Sequence, residues 1–198
     1  MTEHYLNWRG SEFEYENLLY LDTIGNGDCL FHAIVQGFYT PYIEGYSSER
    51  EHPIDRVKLI DELKRNFSTH LADKRPDGKT WYEYLSRGQL PELSKEFPML
   101  KLENLQKLLL TRFPLDNIFN EYISDVLDID IYILDGDNRR VYVTGEEDLY
   151  LKGRKSVVIL YQRGHYSTVG IYRNDRIQTF FDKNDEFILT IREKLKIN

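Results

Sequence analysis

The sequence predicts an α+β domain, because two kinds of hydrophobic pattern occupy different parts of the chain. From Cys29 to Leu127 apolar residues recur at helical spacing, whereas after Leu127 they come in short β-branched or aromatic runs separated by turn residues. A third observation concerns extent. At 198 residues, with six prolines scattered rather than pooled in a linker and no internal repeat, the chain 1–198 is expected to form a single domain.

The elements follow in order. Cys29 to Phe38 is nearly all apolar and follows the loop Gly25-Asn26-Gly27-Asp28, which predicts a buried helix starting at the cysteine. Pro53 to Leu71 carries Ile54, Val57, Ile60 or Asp61, Leu63 or Lys64, and Phe67 at helical spacing, with Pro53 suited to a first turn. Short helices are expected at Thr80 to Leu85 and from about Leu102 to Leu110, and another from about Asp116 to Leu127. Strands are expected at Ile129 to Leu134, Val141 to Thr144, Val157 to Tyr161, His165 to Tyr172 and Ile177 to Phe181.

Composition removes several classes of function. A formal net charge of -7 argues against a sequence-independent grip on nucleic acid, which needs clustered Lys and Arg; it suits a basic partner or peptide tail. One cysteine excludes an intramolecular disulfide and points to a reducing compartment. No stretch approaches the roughly 20 apolar residues of a membrane span, and Met1 to Tyr20 is too charged for a signal peptide, so a cytoplasmic location without a membrane partner is expected. No His pair has metal-ligand spacing with the cysteine, so a zinc site is not expected.

A cysteine at a helix N-terminus gains thiolate character from the free N–H groups there. A Gly-rich loop before it lets backbone amides approach a reacting carbonyl, which assigns Asn26, Gly27 and Asp28 to an oxyanion loop. Of the five histidines only His165 follows a strongly patterned strand across a turn, Gln162-Arg163-Gly164, and it is the candidate base. Ser167, two residues on, shares its strand face and could accept a hydrogen bond from the ring, but a hydroxyl stabilises an imidazolium less than a carboxylate does.

Asn26-Gly27-Asp28-Cys29-Leu30-Phe31-His32-Ala33-Ile34 resembles the Cys-box of ovarian tumour (OTU) family cysteine proteases, usually Asp-Gly-Asn-Cys, with the Asp and Asn exchanged here. Gly164-His165-Tyr166 resembles the family's His-box, and Tyr122 to Leu134 its intervening helix and strand, so the similarity spans about residues 21–172. The resemblance implies a papain-like fold with a small central β-sheet flanked by helices, and hydrolysis of (iso)peptide bonds after the C-terminal glycine of ubiquitin or a ubiquitin-like modifier. It implies Cys29 as nucleophile, His165 as general base, and no cofactor. The family usually has Asp or Asn where Ser167 stands, so Ser167, Asp22 and Asn26 are alternative third members beside a bare Cys-His dyad. Tyr166 is expected to line the cleft, and Tyr42, Ile43 and Tyr46, within the tyrosine-rich stretch from Tyr39 to Glu51, to contact the modifier's globular body.

Plainer readings stand beside these. His32 is expected to be a packed structural residue, His4, His52 and His70 to lie on the surface, and the stretch Asp128 to Asp137 to be a turn region, not a calcium loop. Two rivals remain: a domain of this fold that holds ubiquitin without cutting it, and a papain-fold hydrolase of another acyl substrate. A small domain of this kind fits a viral or bacterial effector in a host cytosol as well as a host enzyme.

Overall fold

A computed structural model of the chain describes residues 2–48, 52–112 and 118–197. Two strands come first, β1 (Glu3–Tyr5) and β2 (Leu18–Leu21), followed by α1 (Cys29–Phe38), α2 (Thr40–Glu44) and a small hairpin, β3 (Tyr46–Ser47) with β4 (His52–Pro53). The helical part continues with α3 (Arg56–His70), α4 (Trp81–Gly88), α5 (Leu90–Glu96), a 3-10 turn at Pro98–Leu100, α6 (Leu102–Leu110) and α7 (Ile118–Leu127). Then come β5 (Asp130–Asp135), β6 (Arg140–Val141), α8 (Glu147–Tyr150), β7 (Ser156–Gln162), β8 (His165–Arg173), β9 (Arg176–Gln178), β10 (Phe180–Phe181) and α9 (Glu186–Leu195).

The main sheet runs β1-β2-β8-β7-β5-β6, with β9 on β8 and β10 on β7. β5 and β7 pair in parallel, whereas β2 and β7 flank β8 antiparallel. Both faces of this sheet are covered, so its central strands are apolar on alternate sides. Ile131, Ile133 and Ile159 join Leu30, Ile34, Phe67 and Tyr122 in one core, beneath the helices. Tyr132, Leu134, Val158 and Leu160 join Trp8, Phe13, Phe187 and Ile188 in the other, beneath α9 and the N-terminal segment. The α+β class and the sheet flanked by helices are therefore present.

The helix that carries Cys29 is pinned to the sheet. A Cβ on Gly37 would lie 2.7 Å from Val157 Cγ1, so only glycine lets α1 approach β7 this closely. Buried hydroxyls tie the same helix down: Thr168 Oγ1 donates to the Ala33 carbonyl at 2.8 Å and Thr179 Oγ1 to the Gly37 carbonyl at 2.8 Å. These bonds satisfy the hydroxyls without interrupting the helix ladder, because a carbonyl has a second lone pair.

Several expected boundaries shift for local reasons. Pro53 lies in a strand, not a first helical turn; α3 begins at Arg56 because the Asp55 side chain accepts the Lys58 amide at 3.0 Å. Thr80 is the N-cap of α4 in a reciprocal capping box with Glu83, and the helix is broken at Leu85, Ser86 and Arg87. The Glu121 carboxylate accepts the Ser86 amide there at 2.8 Å. The run Val141 to Thr144 shortens to β6, and Ile177 to Phe181 splits into β9 and β10. Asp116 and Glu51, boundaries of two expected segments, lie outside the described residues.

Candidate active site

Cys29 opens α1, with Asp28 at the N-cap position. An N-cap aspartate ordinarily accepts a backbone N–H from the first helical turn, but the Asp28 side chain makes no such bond. Its carboxylate turns instead to Lys64 of α3, which also donates to the Thr111 carbonyl at 2.7 Å. Arg112 Nε lies 3.6 Å from the other carboxylate oxygen. The side chains of Asp28 and Lys64 are only 2% and 4% exposed, so each charge depends on the other for its solvation. The first turn of α1 is thereby left uncapped by Asp28 and faces a cleft of about 210 Å³ lined by Gly27, Asp28, Cys29, Thr111, Arg112 and Tyr166 among others.

The loop before Cys29 is shaped by backbone and side chain together. Asn26 Oδ1 accepts the Asp28 amide at 3.0 Å, so of the expected oxyanion loop the Asp28 N–H is already engaged. Asn26 Nδ2 is buried without a partner among the described residues. Gly27 adopts φ +92°, and a Cβ there would meet Arg112 Cβ and the Arg112 carbonyl oxygen at 2.7 Å.

His165 begins β8, where it pairs with Gln162, and its neighbours Gly164 and Tyr166 line the cleft with Cys29. Gly25 lies against the ring: a Cβ there would be 3.9 Å from His165 Cε1. Cys29 and His165 are not hydrogen-bonded to each other among the described contacts, and catalytic pairs are often looser before substrate arrives. The described partner of the imidazole is Thr23, whose Oγ1 lies 3.0 Å from Nε2. Tyr166 stacks at a tilt on Tyr161, ring centroids 4.9 Å apart. Burial pushes its phenol up to about 12, with Tyr161 and Cys29 nearby adding to the effect.

The three candidate third members are elsewhere engaged or placed. Asp22 accepts from His4 Nε2 at 2.8 Å. Asn26 holds the Asp28 amide. Ser167 is buried within the sheet opposite Leu160. Sequence reasoning passed over Thr23, six positions before Cys29, because no strand was expected in the N-terminal segment. The register from Leu18↔Ile171 to Leu21↔Thr168, continued two residues, sets Thr23 opposite Tyr166 and beside His165.

The proposed contact surface needs a correction. Tyr42 is 1% exposed, so it is a core residue and offers nothing to a partner. Its hydroxyl is 2.6 Å from His32 Nδ1, and its carbonyl accepts from Arg56 Nε at 2.7 Å. Burial raises the Tyr42 phenol to about 12 and lowers His32 to about 4. Ile43 is half-buried, and Tyr46, on the hairpin, is 45% exposed. Among the described residues no group of His, Cys, Asp and Glu is arranged to hold a metal ion, and no helix is long and apolar enough to cross a membrane.

No protein-family model and no curated protein sequence matches the chain. Solved structures do. An ovarian tumour (OTU) domain in complex with ubiquitin superposes with a TM-score of 0.52 at 18% identity, over 90% of this chain and 82% of that one. The OTU domain of OTUD1 gives a TM-score of 0.46 at 16% identity over 77% of this chain and 85% of that one. An OTU deubiquitinase from Wolbachia pipientis wMel gives 0.42 at 11% identity over 91% and 98%. A sheet covered on both faces, with the cysteine opening a helix packed on it and the histidine starting a central strand, is thus the fold of an OTU domain.

Proposed function

We propose that this chain is a cysteine hydrolase that releases ubiquitin or a ubiquitin-like modifier by cutting after its C-terminal glycine, acting in a cytosol. The observation that carries this reading is Cys29 at the uncapped N-terminus of α1, in a cleft shared with both neighbours of His165. The fold adds the substrate class, since a similar OTU domain has been solved with ubiquitin.

In the proposed reaction His165 takes the Cys29 thiol proton and the thiolate attacks the glycine carbonyl. Amides of Gly27 and of the first turn of α1 hold the oxyanion, with Asn26 Nδ2 as a spare donor in the same loop. The amine leaves with the proton from the imidazolium, and water then hydrolyses the thioester. The approach of Arg112 to Gly27 narrows the cleft, which suits a tail without side chains. Tyr166 forms one cleft wall, and Tyr46 with Ile43 remains available for the modifier's body.

A second reading has one observation in its favour. The imidazole faces a hydroxyl, not a carboxylate or amide, which suits a domain that binds the modifier but turns over slowly or not at all. Ubiquitin bearing a C-terminal electrophile, with Cys29→Ala and His165→Ala controls and a panel of diubiquitins, separates the two. An adduct that needs Cys29, and chain cleavage that needs both residues, supports the hydrolase. Binding without adduct supports the inactive module; if neither adduct nor binding occurs, the ubiquitin assignment fails and another acyl substrate must be sought.

A further inference from the structure

The geometry points to Thr23 as the residue that fixes the tautomer of His165, with Nε2 protonated and Nδ1 free to accept the thiol proton. Thr23 Oγ1 makes two contacts, to the Tyr166 carbonyl oxygen at 2.5 Å and to His165 Nε2 at 3.0 Å. A hydroxyl has one hydrogen, and a carbonyl oxygen can only accept. That hydrogen therefore lies on the Tyr166 carbonyl. Only lone pairs of Oγ1 remain for the imidazole, so Nε2 must donate and Nδ1 must carry the lone pair.

This inference rests on the reading of His165 as the base for Cys29, and it supplies what that reading lacks. Proton transfer moves one hydrogen from Sγ to Nδ1, leaving a thiolate and an imidazolium. The Nε2–H···Oγ1 bond is intact before and after, so the ring need not turn during the reaction. The Tyr166 carbonyl holds the Thr23 hydroxyl in that orientation from β8 itself, so the support moves with the strand that carries the histidine. Thr23 touches neither thiol nor substrate in this scheme and is a positioning residue. A neutral hydroxyl stabilises the imidazolium less than a carboxylate, so the effect of removing it is expected to be moderate.

The first measurement is the 15N spectrum of the imidazoles in the unmodified chain at neutral pH, with His165 assigned by comparison with His165→Ala. The expected result is a protonated Nε2 and an unprotonated Nδ1; the opposite tautomer overturns the inference without any variant of Thr23. Thr23→Val, which keeps the shape and removes the oxygen, should mix the tautomers. It should also lower kcat on a ubiquitin substrate by roughly 10- to 100-fold with little change in KM. Thr23→Ser should restore the tautomer and bring kcat back to within roughly threefold. A Val variant with unchanged tautomer and unchanged kcat overturns the assignment. Should ubiquitin prove not to be the substrate, the tautomer spectra and the rate of Cys29 alkylation by a small haloacetamide still decide the role of Thr23.

Discussion

Gly27 shows how a single missing side chain shapes the site. Its φ of +92° is one that residues with a Cβ adopt only under strain, and the space a Cβ would fill is held by Arg112 backbone and Cβ at 2.7 Å. Gly27→Ala should therefore cost about 1–3 kcal/mol from the dihedral alone, with the overlap adding to it. The loop can relieve that overlap only by moving away from Arg112 and widening the cleft. Urea denaturation should show the loss, and the rate of Cys29 alkylation should change with it; a variant as stable as the parent would mean that the loop is not packed against Arg112. The sequence made the glycine legible as loop-forming, because Gly and Asn cluster just before the cysteine. It could not reveal Arg112 as the neighbour, nor Thr23 as the partner of His165, since both are set by tertiary contacts across 85 and 142 positions of chain.

At the scale of elements, the position of α1 depends on a buried charge pair. Lys64 occupies a helical position that the apolar spacing of α3 shares with Ile60 and Phe67, all three buried, and Asp28 reaches it from the cysteine loop. Removing one partner strands the other charge in the interior, which costs about 3–5 kcal/mol. Asp28→Asn should be the more damaging change, because it leaves the buried Lys64 charge without its carboxylate, whereas after Lys64→Met the carboxylate still has Arg112 at 3.6 Å. The double variant should be no less stable than the worse single variant, giving a coupling of about 3 kcal/mol or more in a denaturation cycle; simple additivity would show that the pair does not hold α1 to α3. Helices with an unbroken apolar face were legible in the sequence: α1 and α6 keep the expected bounds. β1 and β2 were hidden because β2 joins the sheet through β8, far along the chain, and β1 pairs in turn with β2, and α9 because its apolar face was not separated from the strand pattern before it. Pro53 misled for a different reason, since a proline suits a strand edge as well as a helix start.

For the whole molecule, the acid limit of stability should carry the mark of His32. This side chain is fully buried on α1, 2.6 Å from the Tyr42 hydroxyl, and its Nε2 has no partner among the described residues. Burial is the main reason its pKa falls from 6.5 to about 4, and the attraction of Asp28 and Asp61 only partly offsets it. In the unfolded chain the ring titrates at its ordinary value. As the pH falls below about 6.5 the unfolded state takes up a proton that the folded state refuses until about 4. The unfolded state binds more protons throughout that window, so stability is full above it, declines as the pH falls through it, and levels off below. The contribution of this one group is about 3 kcal/mol. Carboxylates titrate in the same region, so the test is the difference between the parent and His32→Phe in urea denaturation from pH 8 to 4. Phe keeps the ring volume but leaves the Tyr42 hydroxyl without its partner, so the variant should be less stable at pH 8, and the gap should narrow steadily as acid is added. Curves that stay parallel would mean that His32 titrates alike in both states. A narrowing gap would show that the helix presenting Cys29 is held to α2 by a neutral imidazole, so acid weakens the support of the proposed nucleophile along with the fold.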